Sequence, residues 1–213
     1  MTPETFHGIQ ARSGVDALSI AAANSRFAEM DALLADGVDV NGVASYSKET
    51  ALHHAAGLGL IRSVDRLLAA GADINSTASD NDLTPLMCAC SLGKAKGSRV
   101  ALRLIDAGAD VRYVRSSDEM TALKFAVHTC TPDVLERLIE RGAEVDGPEG
   151  TTQTALMIAA RANHVKALEV LIRHGADASR KCGLKWAEGR TAEGLAELEG
   201  CRAALRFLRT PRV

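Results

Sequence analysis

The segment at residues 50–75, TALHHAAGLGLIRSVDRLLAAGADIN, has the pattern of two short amphipathic helices that end at a glycine. Its first residue, a threonine, can cap the first helix through its hydroxyl. In the second helix Val64, Leu67 and Leu68 fall at i, i+3 and i+4. Gly71 supplies the left-handed residue that closes a helix. Because two such short helices cannot bury their apolar stripe alone, the segment predicts a unit that stacks on neighbouring copies.

The same pattern recurs along the chain. TPLMCAC, TALKFAV and TALMIAA begin at Thr84, Thr121 and Thr154, so successive copies are 34, 37 and 33 residues apart. A divergent copy, DALSIAA, begins at Asp16, which we expect to replace the capping threonine, and a shorter copy begins at Thr191. The glycines expected to end the second helices are Gly37, Gly71, Gly108, Gly142 and Gly175. A period near 33 residues predicts a repeat architecture.

This pattern resembles the ankyrin repeat, whose signature is T-P-L-H-x-A followed by a second helix and a Gly-Ala-Asp turn. The resemblance covers residues 16–208. It implies an all-α fold, an ankyrin-repeat solenoid of stacked helix-turn-helix units with short turn or hairpin connections. We expect an N-terminal extension at 1–15 and a single ankyrin-repeat domain at 16–213. Its six repeats, of which the first and last are divergent caps, start near residues 16, 50, 84, 121, 154 and 191.

Two segments depart from the period. Thr84 to Gly108 spans 24 residues, against 21 in the neighbouring copies, which predicts extra loop residues between two helices in LGKAKGSR at 92–99. Gly175 to Thr191 spans 16 residues rather than 12 or 13, and the added segment KCGLKWAEGR contains the only tryptophan. Because insertions in repeat proteins map to loops, both segments are candidate contact sites.

Charge and composition narrow the class of partner. Hydrophobic residues make up 46% of the chain and aromatic residues only 3%, which suits thin layers of closely packed helices. The net charge of -2 does not indicate a nucleic-acid or membrane partner. Residues 161–213 carry eleven basic and six acidic side chains, whereas residues 1–49 carry three and seven. Since base-stacking aromatics are nearly absent, we interpret the basic third as a solvated face and expect no nucleic-acid binding.

The cysteines and the N-terminal sequence bear on the compartment. The five cysteines are scattered, with no C-x-x-C pair that would suggest zinc or a redox dithiol. Reduced thiols in an intracellular protein are the simplest interpretation. The N-terminal sequence lacks the basic region of a secretory signal, and no segment approaches the roughly 20 apolar residues of a membrane span. We therefore expect a cytoplasmic protein with no membrane partner.

No set of side chains has the spacing of a catalytic or metal site. His53 and His54 are adjacent and should diverge on a helix. By the resemblance, His53 takes the signature position whose side chain ties neighbouring loops together. The GKAKGS segment lacks the order of a phosphate-binding loop and is interpreted as a solvated inter-helix loop. We expect no enzyme, no cofactor and no metal. The enzymatic alternative places a site around His128 and Cys130, or in the loop at 94–99.

The remaining hypothesis is recognition of a protein partner. The resemblance implies that variable positions just before each threonine, and seven to eight residues after it, line a concave binding face. The predicted partner-binding residues are Tyr46, Ser47, Glu49, Leu58, Asp80, Asn81, Leu83, Leu92, Ser117, Asp118, Met120, His128, Thr129, Gln153, Arg161, Trp186, Glu188 and Arg190. Tyr46 and Trp186 are the strongest anchors, because amphipathic rings are enriched at interfaces. The alternative for Trp186 is capping of the last repeat, and for Leu58 and Leu92 it is packing between helices.

The predicted function is therefore binding of a protein partner, as scaffold, adaptor or stoichiometric inhibitor, by a chain that is monomeric on its own. A structural alternative is self-association, in which the acidic N-terminal end of one copy meets the basic C-terminal end of another. The resemblance also implies a candidate modification. LLADGVDVN and LLAAGADIN look like sequences that asparaginyl hydroxylases modify in ankyrin proteins, which makes Asn41 and Asn75 candidate sites.

Overall fold

Paired α-helices dominate the computed structural model, which describes residues 5–6, 9–10, 13–77, 81–92, 94–129 and 131–210. The chain divides into two compact units, an N-terminal unit, Met1–Asp110, and a C-terminal unit, Val111–Val213. The expected all-α class of stacked helix-turn-helix units is confirmed. One domain over 16–213 stays a prediction.

The N-terminal unit contains three helix pairs, preceded by a two-stranded antiparallel hairpin of β1 (Thr5–Phe6) and β2 (Ile9–Gln10). Its helices are α1 (Gly14–Ala23), α2 (Phe27–Ala35), α3 (Ala51–Gly57), α4 (Ile61–Ala69), α5 (Pro85–Ser91) and α6 (Lys94–Asp106). The first helices pack side by side in the order α1, α3, α5, and α4 packs against α6.

The C-terminal unit repeats this arrangement. Its helices are α7 (Ala122–Thr129), α8 (Pro132–Glu140), α9 (Ala155–Arg161), α10 (Val165–Arg173), α11 (Ala192–Leu198) and α12 (Arg202–Arg209). Here α7, α9 and α11 form one row, and α8, α10 and α12 form the other. A short 3₁₀ turn at Lys185–Ala187 lies in the longer connection between α10 and α11.

Local chemistry sets most helix ends where the sequence predicts them. The hydroxyl oxygens of Thr84, Thr121 and Thr154 each accept the backbone N–H three residues later, at 3.2 to 3.3 Å. Positive φ angles of 81 to 98° occur at the five predicted helix-ending glycines, Gly37, Gly71, Gly108, Gly142 and Gly175. Such angles strain any residue with a Cβ, so glycine at these positions ends the second helices without strain.

The core consists of the small and branched residues that the repeat brings inward. Leu52, Leu86, Leu123 and Leu156 are at most 1% exposed, and the buried alanines beside them let the first helices approach closely. The terminal helix α12 presents Arg202, Arg206 and Arg209 to solvent, as suits the last unit of a repeat stack. No helix in the described ranges is both long and apolar enough to cross a membrane.

Helix α1 begins before the residue that is predicted to cap it. Helix α1 starts at Gly14 and is capped by Ser13, whose Oγ accepts the N–H of Asp16 at 3.1 Å. Asp16 is buried in the first turn, and its carboxylate accepts the N–H and hydroxyl of Ser45 at 2.7 and 2.8 Å. The prediction that Asp16 caps this helix is therefore wrong, because a serine three residues earlier provides the capping oxygen.

The segment predicted to be an inter-helix loop in the third repeat is helical. Helix α6 begins at Lys94 and has 13 residues, whereas the other second helices have 8 or 9. A Cβ on Gly97 would lie 2.5 Å from the carbonyl oxygen of Ala89 and 2.7 Å from that of Leu92. The glycine therefore permits close backbone contact between α5 and α6. The loop prediction is wrong for residues 94–99, where lysine, alanine and arginine favour helix.

Candidate partner-binding site

Histidine 53 ties two turns together, as the resemblance implies. The side chain is 1% exposed. Its Nε2–H donates to the carbonyl oxygen of Leu83 at 2.9 Å, and its Nδ1 lies 2.8 Å from the Thr50 hydroxyl. Burial lowers the pKa of His53, so the ring is neutral near pH 7. His53 therefore holds the turn that contains the predicted contact residue Leu83.

Lysine occupies the corresponding position in the C-terminal unit. Lys124 is 3% exposed, and its Nζ donates to the carbonyl oxygen of Glu119 at 2.7 Å. The Glu119 carboxylate accepts the N–H and the hydroxyl of Thr152, both at 2.9 Å. These two hydrogen bonds hold the pKa of the Glu119 carboxyl below its usual range. Together they fix the turn before α7, which presents Met120, to the turn before α9.

A first cleft, the N-terminal cleft, lies beside the turn that precedes α3. Leu58 and Leu83 contribute apolar surface to it, and Glu49 and His54 contribute polar atoms. Its lining is Glu49, His53, His54, Gly57, Leu58, Leu83, Cys88 and Ser91. Three of these, Glu49, Leu58 and Leu83, belong to the predicted partner-binding set.

The turn before α3 folds over His54. Ser47 Oγ lies 2.8 Å from His54 Nε2, and Glu49 Oε2 lies 3.6 Å from Nδ1. The Tyr46 ring stacks on the imidazole with the ring centroids 5.5 Å apart. Burial, assisted by the neighbouring His53, lowers the pKa of His54 to about 4. The sequence does not predict His54 as a site residue, because its contacts depend on how the turn at 46–49 folds over α3.

Serine, histidine and glutamate in this order have the makeup of a hydrolase triad. The observed contacts hold the turn before α3 against that helix. Glu49 Oε2 is beyond hydrogen-bond distance of His54 Nδ1, and Ser47 Oγ already accepts the backbone N–H of Glu49 at 3.2 Å. We interpret the cluster as a brace for the turn that presents Tyr46.

Tyr46 is less available than a surface anchor would be. It is half-buried, and its hydroxyl is buried without a hydrogen-bond partner among the described residues. Burial raises the pKa of the phenol to about 12, with Asp16 and Glu49 adding to the shift. The tyrosine can therefore offer part of its ring to a partner, with the hydroxyl directed inward.

Leu92 supports the packing alternative. A Cβ on Gly59 would lie 2.8 Å from Leu92 Cδ2, so this leucine packs against the turn between α3 and α4. Leu58 is half-buried and lines the N-terminal cleft. Asn81 is exposed, and Asp80 lies outside the described residues.

A second cleft, the C-terminal cleft, gathers four predicted residues from two successive repeats. Met120 precedes α7, Gln153 precedes α9, and His128 and Arg161 lie near the ends of those helices. The lining is Met120, His128, Gln153, Ile158, Arg161 and Ala162. Its volume of about 240 Å³ is below the roughly 300 Å³ at which small-molecule sites begin.

Trp186 lies beside this cleft, because its ring packs against Arg161, one of the lining residues. The Arg161 guanidinium carbon lies 4.4 Å from the centroid of the tryptophan ring, and Nη2 donates to Glu199 Oε1 at 3.0 Å. Trp186 remains 45% exposed. The structure thus places the tryptophan on a residue of the preceding repeat, with nearly half of its surface open.

The other predicted contact residues of this unit lie in the turns between helices or at the end of α7. Asp118 pairs with Arg115, which lowers the pKa of the Asp118 carboxyl, and it also accepts the N–H of Met120 at 3.2 Å. Arg190 donates to Glu188 at 2.8 Å. Within α7 the Thr129 hydroxyl donates to the carbonyl oxygen of Phe125 at 3.2 Å, and Ser117 is exposed.

Asn41 and Asn75 link successive turns of the N-terminal unit. Their side-chain oxygens accept the backbone N–H groups of Asp73 and Asp110, at 2.7 and 2.8 Å. Both asparagines are exposed. Their hydroxylation stays a prediction.

The structure describes only part of the locations named for the enzymatic alternative. His128 is exposed, Cys130 lies outside the described residues, and residues 94–99 are helical. The four cysteines that the structure describes, Cys88, Cys90, Cys182 and Cys201, are buried. In the described part of the chain no three His, Cys, Asp or Glu side chains are grouped to hold a metal ion.

Comparison with known proteins identifies the repeat. A family model described as ankyrin repeats (3 copies) matches residues 4–78 and 64–148, and one described as ankyrin repeats (many copies) matches 130–172. No curated protein matches the chain. Among solved structures, the chain is similar to a chain from the complex of a predatory endopeptidase of Bdellovibrio bacteriovorus with an immunity protein. The two are 23% identical with a TM-score of 0.78, over 90% of this chain and 95% of that one.

Proposed function

Because the chain belongs to the ankyrin-repeat family, we propose that it is a protein-binding module, acting as a scaffold, adaptor or stoichiometric inhibitor. The observation that carries this proposal is the grouping of Met120, His128, Gln153 and Arg161 around one cleft beside the exposed Trp186. Apolar and aromatic anchors ringed by polar groups are typical of interface hot spots.

The connection that carries Trp186 is held in place, which favours binding. Gly183 N–H donates to the carbonyl oxygen of Thr152 at 2.7 Å, and Cys182 N–H donates to that of Arg190 at 2.9 Å. Trp186 itself is held against Arg161. Since less conformational entropy is lost when a partner contacts an already ordered segment, this arrangement lowers the cost of association.

A partner protein is also consistent with the similar solved structure, in which an endopeptidase and an immunity protein form a complex. For the present chain, the residues that hold the repeats together are engaged with one another, as His53 and Glu119 show. Predicted contact residues lie at both clefts, such as Leu58 in the N-terminal cleft and Met120 in the C-terminal cleft. We therefore assign recognition to the cleft residues and no catalysis to the chain.

The test compares two folded variants in affinity capture from lysate of the source organism. Met120→Ala with Trp186→Ala should lose a specific partner by tenfold or more, since hot-spot truncations cost roughly 2 kcal/mol each. The matched control, Arg66→Ala with Arg103→Ala, removes exposed ion pairs to Asp31 and Asp65 on the second helices. Circular dichroism establishes that both variants are folded.

Retention by the control and loss by the cleft variant supports the proposal. Equal retention by both variants places the partner elsewhere on the molecule. Loss of the partner by the control variant alone would place the interface on the second helices.

A further inference from the structure

Resting on the proposed function, we propose that the C-terminal cleft receives the side chain of a glutamate of the partner protein. The glutamate's methylenes would lie against the apolar wall, and its carboxylate would meet the hydrogen-bond donors at the rim. Within a larger interface, this one cleft would select an acidic side chain.

The shape of the cleft fits one extended side chain. Met120, Ile158 and Ala162 supply apolar surface, and the volume of about 240 Å³ is small for a whole ligand. The two methylenes of glutamate can lie along such a wall while its carboxylate stays at a polar end.

The polar part of the lining includes N–H groups that can donate a further hydrogen bond. Gln153 lines the cleft, and its Nε2 is buried without a hydrogen-bond partner among the described residues. A buried donor in that state is unfavourable, so turning the amide toward an incoming carboxylate recovers a hydrogen bond. Arg161 uses Nε and Nη2 on a single oxygen of Glu199, which leaves Nη1 for a second acceptor.

The acidic groups nearby are already engaged. Asp118 is held by Arg115, Glu119 accepts two hydrogen bonds from Thr152, and Glu188 is paired with Arg190. Asp118 and Glu188 each have a guanidinium partner and Lys124 acts on Glu119, so these carboxylates repel an incoming anion less than unpaired ones would.

The permanently charged group that acts on His128 is the Arg161 guanidinium. Burial comes first among the causes that lower the His128 pKa, and His164 and Arg161 lower it further. The side chains of the Arg161–Glu199 ion pair are 36% and 40% exposed, so the pair opposes a competing carboxylate only weakly. Charge complementarity thus favours an acidic side chain over a basic one.

The experiment uses three blocked peptides on the full chain. The probes are acetyl-Ala-Leu-Glu-Leu-Ala-amide and the same peptide with glutamine or lysine at the centre. Binding is followed by ¹H–¹⁵N NMR through the Gln153 side-chain amide and the Trp186 indole N–H. We expect the glutamate peptide to shift both signals, the glutamine peptide to bind roughly tenfold more weakly, and the lysine peptide to shift neither.

Two variants connect the preference to the cleft. Gln153→Leu keeps the side-chain volume and removes the amide, so it should reduce the preference for glutamate over glutamine. Arg66→Ala removes an arginine with a comparable exposed ion pair on α4 and should leave the preference unchanged. Equal shifts by all three peptides, a preference for lysine, or a glutamate preference unchanged by Gln153→Leu overturns the proposal.

Failure here is distinguishable from failure of the proposed function. If no peptide shifts the cleft signals while capture of the protein partner still depends on Met120 and Trp186, the glutamate assignment is wrong and the binding-module assignment stands. If capture of the protein partner does not depend on Met120 and Trp186 either, the glutamate assignment and the binding-module assignment are both wrong.

Discussion

His53 and Lys124 occupy corresponding positions in two repeats and stabilise their turns by different contacts. The histidine reaches forward to the Leu83 carbonyl, whereas the lysine donates within its own turn and Glu119 makes the forward connection to Thr152. One side chain in the first case and two in the second therefore perform the same linking role. A buried lysine is tolerated because its ammonium has a carbonyl partner.

At the residue scale, His54 makes stability depend on pH. Its pKa is about 4 in the folded chain and about 6.5 when unfolded. Below pH 6.5 the unfolded state binds a proton that the folded state does not, so the free energy of unfolding falls until about pH 4. At pH 5 the expected loss is about 2 kcal/mol. The lowered pKa of His53 acts in the same direction.

Urea unfolding at pH 7.5 and pH 5, in the wild type and in His54→Gln, measures this effect. The variant should lose less stability than the wild type over the same interval. Glu49, whose pKa burial raises, is present in both proteins, so it contributes little to the difference. Equal losses would show that His54 is not the group that titrates.

At the element scale, helix starts and ends were predictable where one local interaction sets them. Threonine hydroxyls and the glycines with positive φ are such cases. The start of α1 was not predictable from Asp16, because Ser13 competes for the same capping role. The start of α6 was not predictable either, since extra residues between two helices can lengthen a helix as well as a loop.

The same reasoning separates the predictable part of the site from the rest. Met120, His128, Gln153 and Arg161 follow from their positions in the repeat, and the structure brings them to one cleft. The packing of Tyr46 on His54 depends on how a turn folds back over its helix, which repeat position does not encode. The placement of Trp186 on Arg161 likewise depends on a connection of nonstandard length.

A substitution at Gly97 tests how closely α6 packs on α5. Gly97→Ala should lower the free energy of unfolding by about 1–3 kcal/mol, because the added Cβ meets two carbonyl oxygens of the preceding segment. The matched control is Gly57→Ala, where the nearest atom is Cys88 Cβ at 3.8 Å and the gain in helix propensity dominates. Chemical denaturation of both variants compares them. A Gly97→Ala protein as stable as Gly57→Ala would contradict close packing of α6 on α5.

At the scale of the whole molecule, ion pairs between second helices recur in both units. Arg66 pairs with Asp31 at 2.6 Å in the first unit, and Arg173 pairs with Glu136 at 2.5 Å in the second. Exposed pairs of this kind contribute roughly 0–1 kcal/mol each. The stability of each unit therefore comes chiefly from the buried alanine and leucine layers.

We predict that residues 16–213 unfold as one domain. In repeat arrays stability is the sum of intrinsic and nearest-neighbour interface contributions, so coupled repeats should melt in a single transition. Thermal unfolding followed by circular dichroism should show one transition in the full chain, at a higher temperature than in separate fragments 1–110 and 111–213. A full-chain curve equal to the sum of the two fragment curves would mean that the units are independent domains.

The stacking of Trp186 on Arg161 also gives the molecule an intrinsic optical reporter. The chain has a single tryptophan, so its emission comes from one known place. The indole is about half exposed and has a guanidinium over its ring, so its emission is sensitive both to the removal of water and to displacement of that cation. Occupation of the C-terminal cleft can thus be followed in unlabelled protein, at concentrations far below those that NMR requires.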